Sequence, residues 1–439
     1  MKSTLLSIGL AFGFALSLSA RDSLQLKIEP DQRYILRGSP QEVVVKIDLT
    51  AAPSVKTKRL PVNVAVVLDR SGSMTGAKIE KARQAAIGVV NQLTSRDTFS
   101  LVAFDSTVQV IIPAQPIEDR EMLCERISRI QPGGSTALYE GVERGSAQLE
   151  RHLSENKINR VLLLSDGLAN VGPSSNEDVS GLGRRLARRG ISVSTIGVGD
   201  DYNEDLMAGL AQASDANYYY VKDVEQLPNI FAKELGQLMT VVARDIHIEI
   251  ICPEGVEPIG FIGREETFNK HKAVVTLSPF AASQNRYLFL KCRIRNDDAA
   301  KEQEVARVKV SYNDELNEGK NQTATESVRV AMTDSRKEAA SSMNAEVVAQ
   351  RELQLNAIAK DLAIADADAG NYRDASTKLE RQAAHLDECA AAAPAAAQAQ
   401  FKEESANLRG RAKELEKAPM SSSSRKAMQS ESYNQKNAK

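Results

Sequence analysis

The run Val62-Asn63-Val64-Ala65-Val66-Val67-Leu68 breaks into Asp69-Arg70-Ser71-Gly72-Ser73. A strand that is apolar apart from one Asn is the composition of a strand buried on both faces, as in parallel sheets covered by helices. Residues 75–94 follow, with Ile79, Ala82, Ala86, Val89 and Leu93 on one helical face. Strand runs recur at Thr98–Phe104, Val108–Ile112, Arg160–Ser165, Ile191–Gly199 and Tyr218–Val221. Helical stretches lie around 118–130, 137–153, 176–189, 203–213 and 224–240. This alternation predicts an α/β domain over 61–241, a doubly wound and mainly parallel sheet. The gap between 98–104 and 108–112 is too short for a crossover, so these runs form a hairpin and add one antiparallel edge strand.

The flanks differ in texture. Leu24–Ile28 alternates with period two, and Val43–Ile47 is rich in β-branched residues. Short strand runs return over 243–333: Ile246–Ile250, Ala273–Leu277, Tyr287–Ile294, Ala306–Ser311 and Ser327–Val330. The first flank has too few strands to be stable alone. One β-sandwich is therefore expected from the segments 21–60 and 242–334, with the α/β domain inserted between them. Residues 335–417 read as helices, with Val348, Leu355, Ile358, Leu362, Ala365 and Ala369 in one stripe broken at Gly370-Asn371. That stripe predicts burial of Leu355, Ile358 and Leu362 in a unit removable without unfolding the α/β domain. Residues 418–439 hold Ser421–Ser424 and no aliphatic run, and are expected to be disordered.

Length and charge narrow the function classes. The chain has 439 residues, 56 Lys plus Arg against 58 Asp plus Glu, four Cys and no Trp. A net charge of -2 gives no support for nucleic-acid binding through bulk charge. No CxxC pair suggests a zinc ribbon, and His152, His247, His271 and His385 are scattered without metal spacing. Met1-Lys2-Ser3, the uncharged run Leu5–Leu18 and small residues at Ser19-Ala20 read as a signal peptide over 1–20. Cleavage after Ala20 or after Ser19 fits. The apolar run of about 14 residues is short of the roughly 20 that a membrane span needs. The mature chain is therefore expected to be exported, periplasmic or extracellular, with its cysteines in an oxidising compartment. Cys252 and Cys292, both in the second β segment, are the pair expected to link if any do.

The chemistry concentrates in three loops. Asp69, Ser71 and Ser73 leave the carboxyl end of the first parallel strand, where such sheets place binding sites. Gly133-Gly134-Ser135-Thr136 offers another hydroxyl just before a helix, and Ser165-Asp166-Gly167 puts a second acid at the end of another strand. All are hard oxygen donors, with no thiolate or imidazole among them, a set suited to Mg²⁺. Asp200-Asp201-Tyr202-Asn203-Glu204-Asp205 lacks the spacing of a calcium loop and reads as a helix start.

Taken together these residues resemble a von Willebrand factor type A domain with a complete metal-ion-dependent adhesion site, over about 62–240. The family pattern Asp-x-Ser-x-Ser, then Thr, then Asp, is matched by Asp69, Ser71, Ser73, Thr136 and Asp166. The resemblance implies that the two serines and the threonine contact Mg²⁺ (Mn²⁺ and Ca²⁺ also fit), while the two acids act mostly through water. It implies an adhesion or scaffold module that captures an Asp or Glu of a protein partner, or an assembly factor for an envelope complex or metalloenzyme. It does not imply an enzyme: no His joins the hydroxyls and acids. The wider layout resembles exported bacterial proteins labelled as homologues of calcium-activated chloride channels. No later stretch reaches the length of a membrane span, so that label is read as ancestry.

Overall fold

A computed structural model describes residues 22–53, 59–154, 156–295 and 301–437. The predicted signal peptide lies outside them. The chain enters through β1 (Leu24–Pro30), β2 (Tyr34–Leu36) and β3 (Gln41–Ala51). The α/β unit follows in the order β4 (Val62–Asp69), α1 (Ala77–Gln92), β5 (Thr98–Phe104), β6 (Val108–Pro116), α2 (Arg120–Ser128), α3 (Leu138–Glu150), β7 (Ile158–Ser165), α4 (Asn176–Ala187), β8 (Ile191–Val198), α5 (Glu204–Ala213), β9 (Tyr218–Val221) and α6 (Leu227–Met239). Its strand order is β6-β5-β4-β7-β8-β9, parallel except for the hairpin partner β6.

Every residue of β4 is buried, as its composition predicts. Its side chains alternate between two cores. Val62, Val64, Val66 and Leu68 share a core with α1, α2 and α6, while Ala65 and Val67 share the other with α3, α4 and α5. Helix α3 packs so close to β4 that a Cβ on Gly145 would stand 2.3 Å from Val67 Cγ2. Only a residue without a side chain fits there, and this approach holds the start of α3 over the carboxyl end of the sheet.

The expected insertion into a single β-sandwich is present. The second segment supplies β10 (Val241–Ile251), β11 (Val256–Phe261), β12 (Lys272–Leu277), β13 (Phe280–Ala281), β14 (Asn285–Ile294), β15 (Glu302–Asp314) and β16 (Lys320–Thr333). β3 from the first segment pairs with β14 from Gln41↔Ile294 to Thr50↔Asn285, in a sheet ordered β1-β3-β14-β11. The facing sheet is β12-β10-β15-β16-β2, and the two share one core. β11 escapes the sequence reading because Pro258 and Gly260 interrupt it; it is an edge strand with a shift of register between those residues. Cys252 and Cys292 lie side by side in this core as free thiols, sulfurs 3.9 Å apart, whereas Cys124 and Cys389 lie on separate helices.

The C-terminal part departs from expectation twice. It comprises α7 (Arg336–Ser341), α8 (Ala345–Asp368), α9 (Tyr372–Ala390), α10 (Ala395–Leu415) and α11 (Ser422–Lys436). First, residues 422–436, expected to be disordered, form α11. Ser421 caps it by accepting from Ser424 N, and Met428 and Tyr433 are buried. What a tail without aliphatic runs lacks in apolar area it recovers in polar pairs. Lys426 lies on Glu204, Arg425 on Glu204, Asp205 and Asp368, and the Tyr433 hydroxyl donates to Ala216 O. Second, α8 buries a different face. Leu355 and Leu362 are exposed and Ile358 is half-buried, while Leu353, Gln354, Asn356, Ala357 and Lys360 are buried. Glu404 on α10 and Glu431 on α11 draw Lys360 inward, and Glu404 also accepts from Asn356. Charge pairing therefore outweighs the apolar stripe. Since α8 packs Val347 on Val44 and Phe289 of the sandwich and α11 packs on the α/β unit, the helices are built into both neighbours. Among the described residues no helix is long and apolar enough to cross a membrane.

Candidate metal centre

Asp69 is the last residue of β4, and Arg70 N still bonds Phe104 O across to β5 (2.8 Å). The chain then turns: Asp69 Oδ1 accepts from Ser71 N (2.7 Å), and a single 3₁₀ turn over Gly72–Met74 is anchored by the buried Met74. Two backbone bonds stitch this loop to the second one. Gly133 N donates to Arg70 O (2.7 Å) and Gly72 N to Gly134 O (3.0 Å). Gly134 has φ +76, and a Cβ there would come within 2.9 Å of Ser106 Oγ, so glycine is required. Arg70 pairs with Asp105 (2.7 Å) and ties the first loop to the end of the β5–β6 hairpin. The third loop clasps the second. Asn170 Oδ1 accepts from Thr136 N (2.8 Å), and Asn170 N returns a bond to Thr136 O (3.2 Å).

The five predicted residues meet at one place. Ser71 Oγ and Ser73 Oγ are 3.0 Å apart, and Ser73 Oγ donates to Asp166 Oδ1 (2.7 Å). A Cβ built on Gly167 would stand 2.9 Å from Thr136 Oγ1, 3.5 Å from Ser73 Oγ and 3.7 Å from Ser71 Oγ. Three hydroxyls, two from the first loop and one from the second, thus surround one point that Gly167 of the third loop leaves clear. Asp69 and Asp166 are fully buried, Thr136 and Ser71 nearly so, and Ser73 is exposed at the rim. Burial pushes the Asp69 carboxyl up to about 6, with Asp166 adding to the effect; hydrogen bonds from the Ser165 hydroxyl and Ser71 pull against it. The Ser165 hydroxyl donates to Asp69 Oδ2 at 2.5 Å. Lys78, in the first turn of α1, pairs with Asp166 Oδ2.

This donor set fits a hard divalent cation. It has oxygen alone, neutral hydroxyls facing the point, and two buried acids against one lysine. Three residues at the site escaped the sequence reading. Lys78 lies 88 residues from Asp166, and no local pattern links them. Ser165 looks like any strand residue beside the acid. Asn170 looks like an ordinary loop Asn, and only its bond to Thr136 reveals its positioning role. The acids Glu204 and Asp205 do begin a helix, as expected, with Asn203 accepting from Leu206 N.

Comparison with known proteins agrees with the fold of the α/β unit. Residues 63–233 match the family of the von Willebrand factor type A domain. The Synechocystis sp. protein sll0103 is 26% identical over 281 residues, 62% of this chain and 66% of that protein. Human inter-alpha-trypsin inhibitor heavy chain H3 is 27% identical over 161 residues, 35% of this chain and 18% of its own. The chain thus spans less than two thirds of either relative. The solved von Willebrand factor type A protein from Catenulispora acidiphila superposes with a TM-score of 0.70 at 17% identity, covering 89% of this chain and 90% of the other, a likeness of fold. The six-stranded sheet, its two helical layers and the matched sequence together make residues 63–233 of this chain a von Willebrand factor type A domain.

Proposed function

We propose that this chain is an exported, metal-dependent protein-binding module, an adhesion or scaffold protein rather than an enzyme. Asp69, Ser71, Ser73, Thr136 and Asp166 would hold Mg²⁺, with Mn²⁺ or Ca²⁺ as alternatives. The observation that carries the reading is the convergence of three hydroxyls on one point beside two buried aspartates. Von Willebrand factor type A domains mediate protein interactions, which supports a protein partner. When bound, the ion supplies an electrophilic centre for an Asp or Glu of that partner. The chain's own residues prepare that capture. Neutral hydroxyls of Ser71, Ser73 and Thr136 leave the cation's charge largely uncompensated, whereas a shell of carboxylates would neutralise it. Asp69 and Asp166 orient the hydroxyl loops through Ser71 N and Ser73 Oγ. Ser73, at the rim, leaves an approach from solvent. The hydroxyls pair with carboxylates instead of an imidazole, which supports binding over nucleophilic catalysis. Export rests on the signal-peptide pattern of Met1–Ala20.

The test is a pull-down from envelope extract. Partner capture should be lost with EDTA and with Asp69→Ala, and restored by Mg²⁺ in the wild type alone. Undiminished capture by Asp69→Ala in EDTA would show that this face is not the contact surface.

A further inference from the structure

Away from the hydroxyl-lined centre, α8 and α9 bring together three side chains of a different chemistry. Glu352 lies on α8; His385 and Cys389 lie one turn apart on α9, on the same face. One ligand atom from each falls within 4.8 Å of the others. His385 Nε2 is 2.8 Å from Glu352 Oε2, and Cys389 Sγ is 3.6 Å from the same nitrogen. Glu352 is almost wholly buried and His385 about half exposed, so the cluster has a built side and an open side. The carboxylate is held from behind. Arg351 Nη2 and Nε bond Glu352 Oε1 (2.8 and 3.1 Å), and Arg351 in turn pairs with Asp31 of the sandwich. Oε2 is thereby aimed at the histidine and cysteine.

We propose that Glu352, His385 and Cys389 form a zinc site. A thiolate, an imidazole and a carboxylate are the three donor types that zinc takes, and Mg²⁺ prefers oxygen. Three protein ligands leave a fourth tetrahedral position, on the open side, for water or an outside donor. A histidine–glutamate ion pair explains two of the three residues but not the sulfur beside the shared nitrogen. Zinc takes cysteine as the thiolate, so binding would release the thiol proton to solvent and leave the thiolate on the ion. The Arg351–Glu352 contact is the kind of outer support that fixes a ligating carboxylate. Bound zinc would cross-link α8 to α9 where α8 meets the sandwich.

Cobalt titration of the full chain tests this, after stripping with EDTA and with excess Mg²⁺ present to occupy the oxygen-only centre. Co²⁺ should bind with a near-ultraviolet thiolate-to-cobalt charge-transfer band, which oxygen ligands do not produce. Cys389→Ser should abolish the band, and His385→Ala should weaken Zn²⁺ binding by calorimetry at least about tenfold. Cys124→Ser should change neither. Both altered side chains in α9 are partly exposed, and cooperative thermal unfolding of each variant confirms that it is folded. No thiolate band in the wild type, or a band that survives Cys389→Ser, would overturn the site.

Discussion

Two buried aspartates stand at opposite ends of β4 and meet opposite fates. At the amino end, Asp97 accepts from Val62 N (2.9 Å), Thr94 N (2.7 Å) and the Thr94 hydroxyl (2.9 Å), and pairs with both terminal nitrogens of Arg59. Burial acts to raise it, but the Arg59 guanidinium and these donors prevail and hold its carboxyl at about 2. At the carboxyl end, Asp69 accepts from Ser71 N and Ser165. No lysine or arginine pairs with it among the described residues, and burial keeps it at about 6. The first acid is finished structure and clamps the entry of the chain into the domain. The second has donors but no cation of its own, which is what a binding centre requires. A third acid shows that position at the carboxyl end does not decide this alone. Glu204 lies just after β8, yet Lys426 and Arg425 of α11 close over it.

Four experiments test this contrast. Asp97→Ala should cost about 3–5 kcal/mol, because it strands buried amides and an arginine; unchanged urea unfolding would break the comparison at its structural end. The sign with pH follows from the lowered value. The stability that Asp97 contributes is fully present above about pH 4 and is lost as pH falls through about 2. The gap between wild type and Asp97→Asn should therefore close over that window. Removal of residues 418–439 should cost roughly 3 kcal/mol or more, since it takes both cations from Glu204 and one acid from Lys360, and uncovers the contacts of Met428 and Tyr433. An unchanged melting midpoint would mean that α11 is an ornament of the fold. Asp69→Asn should alter stability by only about 1 kcal/mol in EDTA, because Ser165 can reverse its hydroxyl to accept from the new amide. The same variant should lose the stabilisation that Mg²⁺ gives the wild type, and a full Mg²⁺ response would remove Asp69 from the centre. Lys78→Met, which frees Asp166 of its cation, should raise Mg²⁺ affinity about fivefold by calorimetry, a shift of about 1 kcal/mol. Weaker binding would mean that Lys78 supports the centre instead of competing with the ion.

The same contrast explains what could be read from residues alone. Asp69, Ser71, Ser73, Thr136 and Asp166 were legible because each sits at a fixed place relative to a strand end or helix start, and strand ends announce themselves in local composition. Their partners Lys78 and Asn170, and the zinc candidates Glu352, His385 and Cys389, were not legible. A lysine in a first helical turn looks solvated until its neighbour is known. A search for histidine spacing passes over a mixed set on two helices. The reading of α8 failed for a related reason: an apolar stripe reports which face can be buried, but Glu404 and Glu431 decide that Lys360 goes inward and Leu362 stays out.

The order of residues was enough for the alternating α/β unit, its insertion into a sandwich of two separated segments, and the succession of oxygen donors on three loops. These depend on period, turn chemistry and composition, which act over one element at a time. Folding in three dimensions settled which hydroxyls share a point, which acids are already neutralised, and that residues 422–436 form a helix against a domain some 200 residues earlier. Electrostatic pairing and burial depend on distance in space, and the chain carries no local mark of the partner it will meet.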